Sequence, residues 1–323
     1  MINEQFDFYN TTHLKSYDLN KSIRYQLNLL STLDVYTRKH SENVAAITCR
    51  LCEYLHCSKN FTIYCTICAY LHDIGKLFIP PEILQKNGPL TDEEFETMKT
   101  HTTIGYNMCM KDLELRPYAA GPLYHHEALN GTGYPNHLTK KDIPYEGQII
   151  RIADEFDALV SKRQYKSHIG ITDALNIMIE NAHPKAQALS TMAKNAKPDA
   201  NAPKGSILAK YGKNNPKILK VLFLVVQDDI LYEISCVEKY IDDLKNEIDR
   251  LKEIDTYAKK MQSAKNESKK NYYLNGINIL LNKNETLENY LSVLTDYQKA
   301  YETRKKIIDN LFEEYKKVKK LKV

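Results

Sequence analysis

The chain has 323 residues, 43% of them apolar, and a formal net charge of +4. That is room for roughly two domains with a sizeable core, and too modest a positive balance for general binding to nucleic-acid polymers. Its seven cysteines are an odd number, and the opening MINEQFDFYN has neither a basic nor an apolar leader region. A reducing, cytoplasmic setting is therefore expected, with no disulfide framework. The apolar stretch Ile218 to Val226, interrupted by Lys220, is too short to span a bilayer.

After an N-terminal segment, residues 1–20, helical periodicity dominates and strand-like alternation is scarce. The runs Val44, Ile47, Leu51, Leu55 and Ile63, Ile67, Tyr70, Leu71 predict two amphipathic helices. Each carries a CxxC unit, Cys49 to Cys52 and Cys65 to Cys68. This spacing also occurs in zinc modules. Neither unit has the Gly or Pro of a knuckle turn, so buried core thiols are expected instead. A Pro-Pro stop at Pro80 and Pro81 precedes a new helix starting at Thr91, where Glu94 completes a capping box. That helix is expected to carry His101. GTGYP, from Gly131 to Pro135, cannot continue a helix and reads as a loop.

A further helix is predicted around Thr172 to Ala182, after which residues 184–216, rich in Ala, Lys, Asn and Pro, read as a flexible insertion. A disordered insertion fits this composition better than a lid. From there Ile230, Ile234, Val237, Ile241, Leu244, Ile248 and Leu251 alternate in fours and threes, the seam of a coiled coil. A second seam runs through Leu287, Leu294, Tyr301, Ile308 and Tyr315, flanked by Tyr290, Tyr297, Leu311 and Val318, with a polar, loop-like Gln262 to Lys270 between the two. The simplest solution is an antiparallel helical hairpin over residues 227–323, with NYYLNGINILL at its tip or folded back. An intermolecular coiled coil, giving a homodimer, is the rival. Without a cluster of catalytic residue types, this region is expected to serve dimerisation or regulation.

The chemistry concentrates upstream. His72 and Asp73 stand side by side in LHDIGK, followed by His101, the pair His125-His126, and Asp154. Imidazoles can each take a metal ion while a carboxylate bridges two, so this cluster points to a metal site built for hydrolysis. Lys76 follows Asp73 by three residues and shares its helical face, where it can hold a phosphate or protonate a leaving oxygen. Gly75 beside it permits close backbone approach. Asp157, one turn after Asp154, is expected to orient a ligand or to contact substrate.

The stretches YTRKHSENVA, LHDIGKLFIP, KTHTTIG, HHEALNGTGYP and RIADEFDAL occur in order and spacing that resemble the HD-GYP family of phosphohydrolases. The likeness covers about Lys21 to Lys185 and resumes near Asn215 to Val226. It implies an all-α, HD-type helical bundle over residues 21–226, ahead of the coiled-coil-like hairpin. The resemblance also implies two divalent transition metals, Fe or Mn first, with Zn or Ni as alternatives. One would be held by His40, His72, Asp73 and Asp154, the other by Asp73, His101, His125 and His126, with Asp73 bridging. A third ion found in some members needs a glutamate where this chain has Tyr36. Asp73 and Lys76 are the implied catalytic groups. Lys76, Gly133, Tyr134, Pro135, Asp157, Arg163 and Lys166 are the residues expected at the substrate. The usual proline of that last motif is Gln164, and the loop departs from the pattern at Asn130, Asn136 and His137. His137 is expected to be an exposed loop residue, and His13, His56, His168 and His183 match no motif. The implied activity is hydrolysis of a cyclic dinucleotide, first of all cyclic di-GMP, to linear pGpG and in a further step GMP. Alternatives are 3',3'-cyclic GMP-AMP or another nucleotide as substrate, and a receptor that binds without turnover.

Overall fold

The computed structural model describes residues 21–33, 35–161, 169–183 and 212–323, and among these the regular structure is helical, with one isolated bridge between Asn130 and Thr139. Arg163, Gln164, Lys166, His13, His168 and most of the predicted insertion lie outside the described residues, as does the side chain of Tyr36. Among the described residues no helix is long and apolar enough to cross a membrane. The chain divides into two compact units, one reaching Gln227 and including Val318–Val323, the other Asp228–Lys317.

In the first unit α1 (Lys21–Leu33) and α3 (Lys59–Leu71) pack on α2 (Val35–Tyr54). The predicted apolar runs face the core, where Val44, Leu51 and Leu71 are fully buried. So are Cys52, Cys65 and Cys68, with Cys49 nearly so, as expected of core thiols placed mid-helix. Burial pushes the Cys49 thiol up to about 12, the direction of an inert, protonated sulfur. His56, in the link after α2, has φ +55, a left-handed residue that turns the chain toward Ser58, whose hydroxyl caps α3 by accepting from the Phe61 N–H.

The 3-10 turn Ile74–Phe78 follows α3, and then come α4 (Pro81–Leu84) and α5 (Asp92–Lys99). The capping box at Thr91 and Glu94 forms in both directions. The helix it starts does not carry His101. It ends at Thr100, and His101 is the first residue of α6 (His101–Lys111). A Cβ on Gly75 would lie 1.9 Å from the His101 carbonyl oxygen, so only glycine lets the 3-10 turn approach the start of α6 this closely.

A short α7 (Ala120–Tyr124) leads to the histidine pair, and α8 (Tyr145–Val160) packs against α2, α3 and α7. Next to α8 lies α9 (Ile171–Ala182). Gly212 and Asn214, counted with the expected insertion by composition, are buried. Gly212 lies so close to the backbone of Ala182 that a Cβ there would meet it at 2.3 Å, and Asn214 is 1% exposed. Asn214 donates to Glu155 at 2.7 Å and accepts from Arg151 at 3.0 Å, which pins this segment to α8.

Helix α10 (Pro216–Ser263) runs 48 residues without a break. Within the second unit its seam residues Ile230, Ile234, Ile241, Leu244, Ile248 and Leu251 are buried. The polar Gln262 to Lys270 proves mostly helical, because α11 (Glu267–Leu280) begins just past Asn266, whose side chain caps it by accepting from the Lys269 N–H. NYYLNGINILL is folded back: Ile277 packs with Leu251, Ile254, Ala258 and Tyr290 in one apolar cluster. Tyr290 begins α12 (Tyr290–Lys320), and Leu287, Leu294 and Tyr297 border the same cluster. Of the second predicted seam, Tyr290, Ile308 and Val318 are buried and Leu287, Leu294, Tyr297, Tyr301, Leu311 and Tyr315 half-buried.

Candidate metal centre

The candidate ligands come from separate pieces of the helical scaffold: His40 from α2, His72 and Asp73 from the end of α3, His101 from α6, His125 and His126 from the end of α7, and Asp154 from α8. They form two groups with ligand atoms within 4.8 Å of one another, His40 with His72 and Asp73, and His101 with His125 and His126. Asp73 faces both. Its Oδ2 lies 3.2 Å from His72 Nε2 and 3.7 Å from His40 Nε2, its Oδ1 3.5 Å from His101 Nε2 and 3.9 Å from His125 Nε2. Asp154 closes the outer side, at 3.0 Å from His40 Nε2 and 3.9 Å from His126 Nδ1.

The backbone sets the imidazoles. His72 Nδ1 donates to Ala69 O at 2.7 Å, His101 Nδ1 to Met98 O at 2.6 Å, and His125 Nδ1 to Pro122 O at 2.9 Å, each time the carbonyl three residues earlier. A carbonyl only accepts, so the proton is on Nδ1 and the lone pair of a neutral ring is on Nε2, aimed at the centre. His40 is oriented differently: its Nδ1 meets Asp157 Oδ2 at 2.6 Å. The remaining oxygen of Asp157 accepts from Asn43 at 2.9 Å and Ser161 at 2.8 Å, and the residue is buried. Asp157, 3% exposed, is thus placed to orient His40.

Charge is sorted to match. Burial drives His101 down to about 4 and His126 to about 3, and holds His125 well below its usual value, so these rings are neutral at pH 7. Burial pushes the carboxyls of Asp73 and Asp154 upward, but the surrounding cations and hydrogen bonds outweigh it and hold both well below the usual carboxylate range. His40 has burial against it too, yet Asp154 and Asp157 raise it to about 9.

These residues fit divalent cations on two independent observations. His72 Nε2 and Asp73 Oδ1 are buried without a hydrogen-bond partner, a costly state for polar atoms unless something absent from the protein atoms binds them. His101 Nε2 and His125 Nε2 face each other at 3.2 Å although both rings carry their proton on Nδ1, so two lone pairs point into one gap. A cation between them turns that repulsion into ligation. Mixed nitrogen and oxygen donors of this kind suit Fe, Mn, Zn and Ni alike.

Around the centre, Lys76 Nζ bonds Asp73 Oδ2 at 2.5 Å. Tyr134 stacks on His126, with ring centroids 4.6 Å apart. Gly133 and Tyr134 line a cavity of about 270 Å³ that also touches His126, with Pro135 half-buried beside them. His137 is exposed as expected, but it too lines this cavity, held at φ +54 where glycine is favoured. Sequence reasoning missed Glu127, which is buried and accepts the backbone N–H groups of Asn136 at 2.7 Å and Leu138 at 2.8 Å, clasping the GYP loop to the histidine pair. It also missed Arg151, whose spacing of three from Asp154 on α8 was a usable sign that both face the site.

A helical scaffold that converges histidines and aspartates around one shared carboxylate defines a candidate metal centre of the HD type. The chain belongs to the HD domain family, whose profile matches residues 24–196, and to the HD-GYP branch whose motifs it carries. It is 44% identical over 144 residues to a cyclic di-GMP phosphodiesterase of Thermotoga maritima, a match covering 44% of this chain and 39% of that protein. It is 37% identical over 168 residues to the 3'3'-cGAMP-specific phosphodiesterase 3 of Vibrio cholerae, covering 51% and 36%. A third relative, the cyclic di-GMP phosphodiesterase PdeB of Borreliella burgdorferi, is 34% identical over 146 residues, covering 45% and 38%. The matched region thus spans well under half the length of each of these relatives.

Proposed function

We propose that the chain is a metal-dependent phosphodiesterase that opens a cyclic dinucleotide, cyclic di-GMP first, to linear pGpG in the cytoplasm. The observation that carries the reading is the pair of facing lone pairs on His101 and His125 beside the orphaned His72 Nε2 and Asp73 Oδ1, a donor set complete for two cations sharing Asp73. Two divalent cations there supply nucleophile activation at neutral pH and neutralise charge on the phosphate. The chain's own groups do the rest. Asp157 fixes His40, Glu127 fixes the loop that borders the cavity, and Lys76, poised on Asp73 at the edge of the buried cluster, moves to the phosphate or protonates the leaving oxygen. Arg163 and Lys166 belong to the same proposal as phosphate contacts. The second unit is proposed to serve dimerisation or regulation.

A second substrate is favoured by one observation, the likeness to a protein named for 3'3'-cGAMP. A receptor without turnover is disfavoured by the complete donor set. The test is turnover by the purified chain with Mn²⁺ or Fe²⁺ against cyclic di-GMP, cyclic GMP-AMP and cyclic di-AMP, together with elemental analysis. Two ions per chain and production of a linear dinucleotide are expected. Tight binding without turnover would establish the receptor instead, and three tightly held ions would overturn the two-cation assignment.

A further inference from the structure

The cavity beside His126 has a one-sided charge. Lys99, Arg151 and Lys213 line it, and among the described residues no carboxylate does. The three cations arrive from unrelated places: the last residue of α5, the middle of α8, and the short segment ahead of α10. Arg151 uses Nε on Asn214 at 3.0 Å and Nη1 on the His126 carbonyl at 3.2 Å, which leaves Nη2 without a partner among the described residues. Lys213 is fixed by its backbone, whose N–H donates to Asn181 O at 2.7 Å and whose carbonyl accepts from Leu129 at 3.0 Å. Lys213 is half-buried, and its ammonium has no partner among the described residues either. Lys99 sits at the rim, bonded to the exposed Glu96 at 2.5 Å and lying 5.3 Å and 5.8 Å from the ring centroids of Phe95 and Tyr134. Collecting partly buried positive groups, of which Arg151 and Lys213 have no ion-pair partner among the described residues, is unfavourable unless an anion occupies the space.

We propose that Arg151 and Lys213, with Lys99 at the rim, hold the phosphate of the cyclic dinucleotide that is not being cut. The inference rests on the cyclic-dinucleotide reading above and adds the residues that make the site selective for a ligand with a second phosphate. The size fits: about 270 Å³ lies just below the ~300–1,000 Å³ of clefts that enclose a whole small ligand, which suits one half of the ring while the other half meets the metal ligands. Arg151 has a further consequence, because its bond to the His126 carbonyl ties the phosphate subsite to the metal-binding pair.

The test uses the metal-loaded full chain with Lys213→Ala, Arg151→Gln and Lys213→Arg, assayed on cyclic di-GMP, cyclic di-AMP and the single phosphodiester bis(p-nitrophenyl) phosphate. Lys213→Ala and Arg151→Gln are each expected to raise KM for both cyclic dinucleotides about tenfold. The ratio of kcat/KM on either ring to that on the single diester falls by the same factor, and Lys213→Arg recovers most of it. Parallel losses on all three substrates, no change, or a loss confined to the guanine ring would overturn the proposal, the last by assigning these cations to a base edge. Should Arg151→Gln fail to fold, Lys213→Ala decides, since the Lys213 ammonium bonds nothing described in the protein. If the wild type cleaves neither ring, the catalytic reading fails by itself. Calorimetric binding of cyclic di-GMP then decides the subsite: about tenfold weaker binding by Lys213→Ala supports it, and equal binding or none by the wild type overturns it.

Discussion

The metal centre and the C-terminal helices handle charge in opposite ways. In the centre, Asp73 and Asp154 are held ionised beside a cationic His40 and the neutral rings of His101, His125 and His126, with lone pairs left facing a gap. In the helices beyond Asp228 the charges complete one another. Arg250 reaches both oxygens of Glu285 at 2.7 Å, Glu247 at 2.7 Å and the Leu280 carbonyl at 2.6 Å, knotting α10 to the end of α11 beside an apolar cluster. The first arrangement is electrostatically incomplete and stores affinity for a cation. The second is complete and only holds shape. Substitutions that remove a charge should therefore change function in one region and only stability in the other.

The largest break is expected at Asp73. Asp73→Asn keeps the size but removes the shared anion, so metal content measured by elemental analysis should fall and hydrolysis should vanish with it. A variant that still holds two ions and turns over would refute the bridging role.

Lys76→Ala should separate chemistry from binding. Its metal content is expected to stay near wild type while turnover falls by roughly a hundredfold, the scale of a lost general acid or charge stabiliser. Unchanged rates on cyclic di-GMP would remove Lys76 from the mechanism.

Asp157→Asn acts one bond further out. Removing the anion behind His40 Nδ1 should weaken metal affinity about 10- to 100-fold in a competitive chelator titration, with little change in kcat at saturating metal. A fall in kcat alone would mean that Asp157 meets substrate.

The metal-free centre should also show its unbalanced charge in a pH profile. His40, raised to about 9, contributes stability that is present below its usual pKa of 6.5 and lost as pH rises through 9. His101 and His126, lowered to about 4 and 3, contribute stability that is present above 6.5 and lost as pH falls through those values. Thermal unfolding of metal-stripped protein should therefore peak near pH 6.5. Added Mn²⁺ competes with the His40 proton, so its stabilising effect should grow as the pH is raised. A metal effect independent of pH would contradict the charge assignment.

The smallest effect belongs to the helices. Arg250→Met is expected to cost about 1 kcal/mol, since the pair is largely shielded and bidentate but still reached by solvent. Metal content and turnover should not move.

Much of the fold was legible in the sequence because periodicity is a local property. The apolar runs of α2 and α3, the capping box at Thr91 and the seam from Ile230 to Leu251 each record which side of a helix meets its neighbours. The candidate ligands were legible for a different reason: histidine and aspartate are residue types that metal chemistry uses, and LHDIGK, HHEALNGTGYP and RIADEFDAL keep them in recognisable surroundings. Where local signals misled, composition was the cause. Gln262 to Lys270 is polar because most of it is exposed, and it holds a short break at residues 264–266 between two helix ends instead of a loop along its whole length.

What only the tertiary structure decided is which groups share a space. His101 opens a helix instead of closing one, and the start of that helix meets Gly75 so closely that no Cβ fits. Asp157 acts through His40, which is 117 positions away. Glu127 clasps a loop through two backbone N–H groups that carry no residue signature. Arg151 and Lys213 meet at one cavity because Gly212 docks on Ala182 and Asn214 binds α8. Sequence by itself determined the helices and the chemical types of the ligands, since both are written in short-range pattern. Their pairing, charge state and cavity came from long-range packing, because burial and Coulomb interactions depend on distance in space, not on separation along the chain.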